Sequence, residues 1–159
     1  MLKYEGLVRD KIINYKFNEH SYLYKAFTRL IINNKKICRF LGNYDIIIPV
    51  PLSNKKLANR GYNQAELIAN EIGESFKISL SRNNLVKVKE TLTQSTLKGK
   101  ERKENVKNAF EVKHKEEFAG KNVILFDDIY TTGSTVLECA RLIKNAGANK
   151  IGVITIAKD

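Results

Sequence analysis

Residues 121–135 read KNVILFDDIYTTGST, and this stretch decides the predicted fold. The continuous apolar run at 123–126 is typical of a strand that is buried on both faces, as in a parallel sheet. Asp127 and Asp128 follow at the predicted end of that strand, and small, hydroxyl-bearing residues at 130–135 precede a helical pattern. Because ligands bind beyond the carboxyl ends of strands in open α/β sheets, the stretch predicts a ligand site at one edge of a parallel sheet.

The turn after the acidic pair has the composition of a phosphate site. A helix N-terminus offers free backbone N–H groups and the positive end of a dipole. Gly133 permits a backbone conformation that a β-carbon would resist, and it lets an anion approach closely. Two carboxylates beside such a turn can hold Mg2+ or accept hydrogen bonds from sugar hydroxyls. Each piece also has a purely structural interpretation, since Thr-Gly-Ser can be only a helix cap, but the ordered combination is more specific.

This combination resembles the signature of the type I phosphoribosyltransferases, in which a hydrophobic strand, two acidic residues and a hydroxyl-rich loop bind phosphoribosyl pyrophosphate (PRPP). The resemblance implies that Asp127 and Asp128 face the ribose hydroxyls. It implies Mg2+ as the cofactor, bound through PRPP, with the same two carboxylates as candidate ligands. The residues implied to cradle the 5′-phosphate are Thr131, Thr132, Gly133, Ser134 and Thr135.

Composition limits the class of protein. A chain of 159 residues is expected to form one domain, and 43% hydrophobic and 28% charged residues are typical of a globular protein. The net charge of +11 favours acidic partners such as nucleotides, pyrophosphate or a nucleic-acid backbone, although a lysine-rich sequence bias explains part of it. The two cysteines, Cys38 and Cys139, support neither a zinc site nor a disulfide framework. No membrane contact and a cytoplasmic location are expected.

Two further apolar runs, at 46–48 and 151–157, predict buried strands. Strand, helix and strand between 122 and 157 form a βαβ unit, which requires parallel neighbours. The fold class is therefore α/β. With the resemblance, it becomes a type I phosphoribosyltransferase-like, twisted and mostly parallel sheet flanked by helices, with a helical N-terminal segment. We divide the single domain into a hood-like segment at 1–43 and a core at 44–159.

Apolar spacing predicts two helices in the N-terminal segment. The first covers 5–17, and its apolar residues at spacings that suit one face are Leu7, Val8, Ile12, Ile13 and Phe17. The second runs from Ser21 as N-cap to about Leu41. In the resembled fold, a hood built from the chain termini usually determines which nucleophile is bound. The sequence itself does not name that nucleophile.

The exit of the strand at 46–48 carries a second resemblance. Proline cannot donate to the strand ladder, so the strand is predicted to stop at Pro49. The sequences PVPL at 49–52 and NRGYNQ at 59–64 resemble the ComF family of competence-associated phosphoribosyltransferase-like proteins. In that family fold this loop meets pyrophosphate, which implies contacts from Ser53, Lys55 and Arg60. The alternative is a solvated helix start with ordinary basic residues.

Residues 89–108 are polar, with few aliphatic side chains, and resemble the flexible loop of ComF proteins and of amidophosphoribosyltransferases. The resemblance implies that Lys98, Lys100 and Arg102 close over PRPP, with Arg102 taking part in catalysis. A lid that brings cations to a leaving pyrophosphate stabilises its growing negative charge. The alternative is a charged surface helix, and a lid can be such a helix when closed.

The resemblance implies a PRPP-binding protein that transfers phosphoribosyl to an unidentified nucleophile and releases pyrophosphate, which is glycosyltransferase chemistry. It also implies a role in the uptake of transforming DNA, with a competence helicase complex as partner. Two alternatives are a non-catalytic module that binds single-stranded DNA or a helicase partner, and a PRPP-sensing regulator. An aspartyl phosphatase using Asp127 is a further alternative, although a D-x-D arrangement is absent. Many ComF proteins carry an N-terminal cysteine-rich zinc module, and this sequence has no such cysteines.

Overall fold

The computed structural model describes residues 1–17, 20–91 and 99–159, and gives only the backbone at positions 99, 100, 102 and 103. The strands are β1 (Leu2–Lys3), β2 (Ile46–Pro49), β3 (Ser79–Leu80), β4 (Leu85–Lys87), β5 (Phe110–Val112), β6 (Asn122–Tyr130) and β7 (Lys150–Lys158). The helices are α1 (Gly6–Phe17), α2 (Leu23–Ile32), α3 (Lys35–Leu41), α4 (Asn54–Arg60), α5 (Gln64–Phe76), α6 (Gly99–Val106) and α7 (Ser134–Asn145). A short 3-10 turn covers Lys115–Glu117.

Five strands form one sheet in the order β1-β7-β6-β2-β3, and every neighbouring pair is parallel. β6 lies at the centre, with β2 on one side and β7 on the other. β4 and β5 form a separate antiparallel pair. Helices cover the sheet, so the predicted α/β class with a mostly parallel sheet is confirmed.

The central strands bury both faces, which explains their continuous apolar runs. Successive side chains of a strand point to opposite faces. Ile47 and Ile124 therefore pack with α1, α2 and α5 on one face, whereas Ile48 and Leu125 pack with α7 and the β4–β5 pair on the other. All four side chains are at most 1% exposed.

The predicted single helix from Ser21 to about Leu41 is wrong, because it is two helices. Asn34 lies between them in an extended conformation, and its side chain accepts hydrogen bonds from the backbone N–H groups of Lys36 and Ile37. That side-chain cap begins α3. Ser21 is not the N-cap of α2, since Tyr22 holds that position without a side-chain cap bond. The apolar spacing continues from α2 into α3, so the spacing alone did not reveal the break between the two helices.

Several apolar residues that we assigned to buried faces are exposed. Leu7 is 72% exposed and Phe17 is 69% exposed, although both lie on the predicted helix at 5–17. Ile12, from the same predicted face, is buried, and so is Tyr15, which the prediction did not include. The predicted loop after β2 also contains a helix, α4, which Ser53 caps.

The N-terminal segment contacts the core through strand pairing and through shared hydrophobic packing, among other contacts. β1 pairs with β7, and residues of α1 and α2 share a hydrophobic cluster with α5. The division at residue 43 stays a prediction. Within the described ranges, no helix combines the length and the apolar character that crossing a membrane requires.

Candidate functional site

The acidic pair lies inside β6 and not after it, so the predicted strand end is wrong. β6 continues to Tyr130 because β7 stays paired with it, with Asp127 opposite Thr155. On the other side, the pairing with β2 stops at Phe126, where Pro49 ends the partner strand. The two aspartates therefore follow the last pair with β2, at the carboxyl edge of the sheet.

Asp128 is buried and both of its carboxylate oxygens accept hydrogen bonds. It is 5% exposed. Lys16, near the end of α1, places its ammonium 2.9 Å from Oδ1. Gln64, the first residue of α5, donates its Nε2 to Oδ2 over 2.6 Å. A buried carboxylate is expected to have such partners, because hydrogen bonds and an opposite charge offset its loss of water.

Asp127 has a different environment from Asp128. It is partly buried, and its Oδ1 accepts the backbone N–H of Asp128 over 2.9 Å. Burial, and then the charge of Asp128, raise the pKa of Asp127 to about 7, while Lys16 acts in the opposite direction. Of the two neighbouring carboxylates, Asp127 is the more accessible.

The hydroxyl-rich turn begins α7. Gly133 has φ +74, in the left-handed region, and a β-carbon there would collide with the Tyr130 hydroxyl. Thr132 Oγ1 lies 2.9 Å from Ser134 Oγ and 3.4 Å from the Ser134 backbone nitrogen. Thr131 and Thr135 are partly buried. The five predicted residues form one compact turn at a helix N-terminus; their contact with phosphate stays a prediction.

The residues predicted to meet pyrophosphate lie on and before α4, in unlike environments. Ser53 is 3% exposed, and its hydroxyl accepts the Lys56 backbone N–H over 3.4 Å as a helix cap. Lys55 is exposed. Arg60 donates to the side-chain oxygen of Gln64, and its guanidinium lies 5.1 Å from the centre of the Phe17 ring. The structure therefore ties Arg60 to the acidic pair through Gln64.

The three lid residues fall outside what the structure describes. Lys98 belongs to residues 92–98, and the side chains of Lys100 and Arg102 belong to the backbone-only positions of α6. Their predicted roles stay predictions.

A cleft of about 420 Å3 adjoins this edge of the sheet. Its walls come from the exit of β2, the first turns of α4 and α5, and β4, and include Pro51, Asn63 and Lys87. Burial, and then the nearby charge of Lys56, lower the pKa of Lys87, whose ammonium donates to Thr91 Oγ1 over 2.6 Å. The charge of Asp127 raises the pKa of Lys87, and the charge of Lys87 lowers the pKa of Asp127, each by less than the effects already named.

Sequence reasoning missed three of these residues. Lys16 has no local signal, since a lysine near the end of a helix usually faces solvent. Gln64 stood within the NRGYNQ pattern and could have been identified there. Lys87 lies on a short strand next to the predicted lid, where a basic residue has many ordinary explanations.

Comparisons with known proteins agree with this architecture. The family model of the phosphoribosyl transferase domain matches residues 57–159. The chain is similar to the purine phosphoribosyltransferase of Pyrococcus horikoshii, with a TM-score of 0.52 and 15% identity, over 86% of this chain and 74% of that one. At this identity the likeness shows the fold alone.

Two curated relatives carry the names of competence proteins. It is 35% identical over 151 residues to Competence protein F of Haemophilus influenzae, covering 92% of this chain and 66% of that protein. It is 26% identical over 155 residues to Competence protein ComFC of Streptococcus pneumoniae, covering 98% and 65%. The chain thus spans about two thirds of the length of these relatives. By its domain match and these relatives, it belongs to the phosphoribosyltransferase domain family and, within it, to the ComF family.

Proposed function

We propose that this protein binds PRPP as its Mg2+ complex and transfers the phosphoribosyl group to a nucleophile with release of pyrophosphate. One observation carries the proposal. An acidic pair at the carboxyl edge of a parallel sheet is followed by a hydroxyl-rich turn whose Gly133 adopts the left-handed conformation at the start of α7. This arrangement brings acceptors for sugar hydroxyls and donors for a phosphate to one place.

The chain's own residues supply binding and orientation. The turn at 131–135 presents hydroxyls and the amide end of α7 to the 5′-phosphate. Asp127 and Asp128 accept hydrogen bonds from the ribose hydroxyls, and the charge of Asp127 stabilises the positive ribose that forms as pyrophosphate departs. Ser53 and Lys55, at the start of α4, are the proposed contacts of the pyrophosphate, together with the residues of the predicted lid. A nitrogen nucleophile then bonds to C1 as the C1–O bond to pyrophosphate breaks.

The carboxylates present fit a Mg2+ ion that arrives with the substrate. Mg2+ prefers oxygen ligands and keeps several waters, so a protein needs to add few ligands. Asp127 is the residue that would face the ion, directly or through water, because it is the less buried of the two aspartates. The oxygens of Asp128 accept from Lys16 and Gln64, and each keeps a second lone pair for a ribose hydroxyl. When bound, the ion neutralises charge on pyrophosphate and makes it a better leaving group.

The relatives' names and the charge favour a second function on the same fold. The chain carries a net charge of +11, and its relatives are competence proteins. A regulator that senses PRPP would use the same acidic pair and turn. A binding module for single-stranded DNA or for a helicase partner would use the fold as a scaffold and its basic surface as the contact. A role in DNA uptake belongs to this proposal and to the enzymatic one alike.

Calorimetry with PRPP and Mg2+ tests the proposal. The wild type is expected to bind, and the double variant Asp127→Asn/Asp128→Asn is expected to lose at least about tenfold in affinity, or about 1.4 kcal/mol. Asp10→Asn on exposed α1 is the matched control and should bind as the wild type does. Absence of wild-type binding would remove PRPP as ligand, and equal binding by the double variant would remove the two aspartates as its site.

A second measurement separates the functions. Release of pyrophosphate from PRPP, measured with and without candidate bases, identifies turnover. PRPP binding without release, together with a change in DNA affinity, indicates a regulator. Salt-dependent binding of single-stranded DNA that PRPP and Mg2+ leave unchanged indicates the binding module.

A further inference from the structure

A line of three side chains connects α4 to the acidic pair. Gln64 lies between Arg60 and Asp128 and is 5% exposed. Its side-chain nitrogen donates to Asp128 over 2.6 Å, and its side-chain oxygen accepts from the Arg60 guanidinium. A buried amide with partners on both its oxygen and its nitrogen is held in one orientation.

The donor and acceptor groups of Arg60, Gln64 and Asp128 determine the direction of each hydrogen bond between them. A guanidinium can only donate, so the amide oxygen of Gln64 must face Arg60. The amide NH2 must then face Asp128, whose carboxylate oxygen accepts it. Lys16 donates to the other oxygen of the same carboxylate over 2.9 Å. The two partners together fix the plane of the Asp128 carboxylate.

Local sequence explains why the line forms. Gly61 ends α4 in the left-handed conformation at φ +79, and Asn63 caps α5 by accepting the Ala65 N–H over 3.0 Å. The two helix ends are thus separated by a tight turn, which brings positions 60 and 64 side by side. The Tyr15 hydroxyl, on α1, donates to the Gln64 backbone oxygen over 2.7 Å and anchors the start of α5.

Arg60 is partly enclosed at its other side. Its guanidinium lies against the Phe17 ring, and burial lowers the pKa of Arg60 while the charge of Asp128 raises it. The Arg60 side chain therefore contacts Gln64 and α1. Arg60 is therefore placed to orient Gln64. An exposed basic residue of an anion-binding site would instead leave its guanidinium accessible to the ligand.

We propose that Arg60 and Gln64 are positioning residues, which hold the Asp128 carboxylate in the orientation that the ribose of PRPP requires. This inference rests on the proposed function, and it replaces the predicted contact between Arg60 and pyrophosphate. Removal of the Gln64 side chain leaves Asp128 with Lys16, and removal of the Arg60 side chain frees the Gln64 amide to turn away from Asp128. Affinity for the ribose-bearing ligand should then fall, and affinity for pyrophosphate should not.

Two ligands and three variants test the assignment. PRPP and inorganic pyrophosphate, each with Mg2+, are titrated against the wild type, Gln64→Met, Arg60→Met and the Arg60→Met/Gln64→Met double variant. Loss of an outer partner of a binding group typically costs about 10–100-fold. We expect about a tenfold loss for PRPP in each single variant, a change of less than about twofold for pyrophosphate, and a double variant no weaker than the weaker single one. Arg39→Met on exposed α3 is the matched control.

Exchanging the amide at position 64 with the carboxylate at position 128 distinguishes a positioning role from a structural one. Gln64→Glu cannot donate to Asp128, and it should lower both the melting temperature and PRPP affinity. Adding Asp128→Asn restores the hydrogen bond in the reversed direction, since the new amide at position 128 then donates to the new carboxylate at position 64. We expect the melting temperature to recover and PRPP affinity to stay low, because the carboxylate that the ribose needs at position 128 is gone.

Each outcome decides between the assignments. If Arg60→Met weakens pyrophosphate as much as PRPP, Arg60 contacts pyrophosphate and the positioning role is overturned. If Gln64→Met binds PRPP as the wild type does, the role is overturned while the proposed function stands. If the wild type fails to bind PRPP, the positioning role and the proposed function are both overturned.

Discussion

Lys16 and Asp128 join the N-terminal helix to the edge of the sheet, with the ammonium 2.9 Å from the carboxylate oxygen. The side chains are 19% and 7% exposed, so the pair is largely removed from water. Ion pairs in such places are costly to break, because the remaining charge loses both its partner and its solvent. The ion pair therefore links the position of α1 to the charge of Asp128.

Lys16→Met should destabilise the fold because it leaves Asp128 with Gln64 as its side-chain partner in place of two. We expect a loss of about 1–3 kcal/mol in the free energy of unfolding, measured by urea titration at pH 7. In an Asp128→Asn background the same substitution should cost much less, since no buried charge remains at position 128.

Lys11→Met, on the exposed side of the same helix, is the control and should change stability by less than about 0.5 kcal/mol. Equal losses from Lys16→Met in the wild-type and Asp128→Asn backgrounds would show that the lysine stabilises the fold without help from the ion pair.

The raised pKa of Asp127 predicts that the stability of the fold depends on pH. Its pKa in the folded protein is raised from 3.8 to about 7, mainly by burial. The folded state therefore binds this proton more tightly than the unfolded state, so the contribution of Asp127 to stability is most favourable below pH 3.8 and declines as pH rises toward 7. Asp127→Asn, which carries no charge, removes this decline.

The measurement is the free energy of unfolding of both proteins between about pH 4 and 8. We expect Asp127→Asn to gain stability relative to the wild type across that range, on the order of 2 kcal/mol by pH 7, and to level off above it. Asp10→Asn, at an exposed position of α1, is the control substitution for the same measurement. A difference that is constant over the whole range would contradict the raised pKa.

The sequence predicted the central strands well and the contacts around the site poorly, for a physical reason. The runs at 46–48 and 123–126 are apolar because both faces of those strands are buried, and that property is visible locally. The contact between Gln64 and Asp128 joins residues 64 positions apart, and no periodicity records it. β1, a strand of two residues, is too short to carry a pattern.

Helix ends and exposed apolar residues were the other failures. Ile31, Ile32 and Ile37 keep an apolar spacing across the break between α2 and α3, so only the Asn34 cap marks it. Leu7 and Phe17 fit an amphipathic pattern, but both residues are exposed to solvent. Such residues show that apolar spacing predicts a helix without fixing which of its residues are covered.

Gly133 offers a test of the phosphate turn with an internal control. Gly133→Ala should cost the left-handed backbone strain, about 1 kcal/mol, and should also displace Tyr130, whose hydroxyl lies where the β-carbon would stand. Gly120 has a similar φ of +71 and nothing within 4 Å of the position a β-carbon would take. Gly120→Ala therefore measures the backbone strain alone.

We expect Gly133→Ala to be less stable than Gly120→Ala in urea titration, by the cost of the Tyr130 collision. We also expect it alone to lower affinity for PRPP, by about tenfold or more, because a shift of the turn misplaces its hydroxyls and amide groups. Tyr130→Phe removes the hydroxyl nearest to the new β-carbon and should restore part of the stability lost in Gly133→Ala. If both alanine variants bind PRPP as the wild type does, the turn at 131–135 does not hold the phosphate.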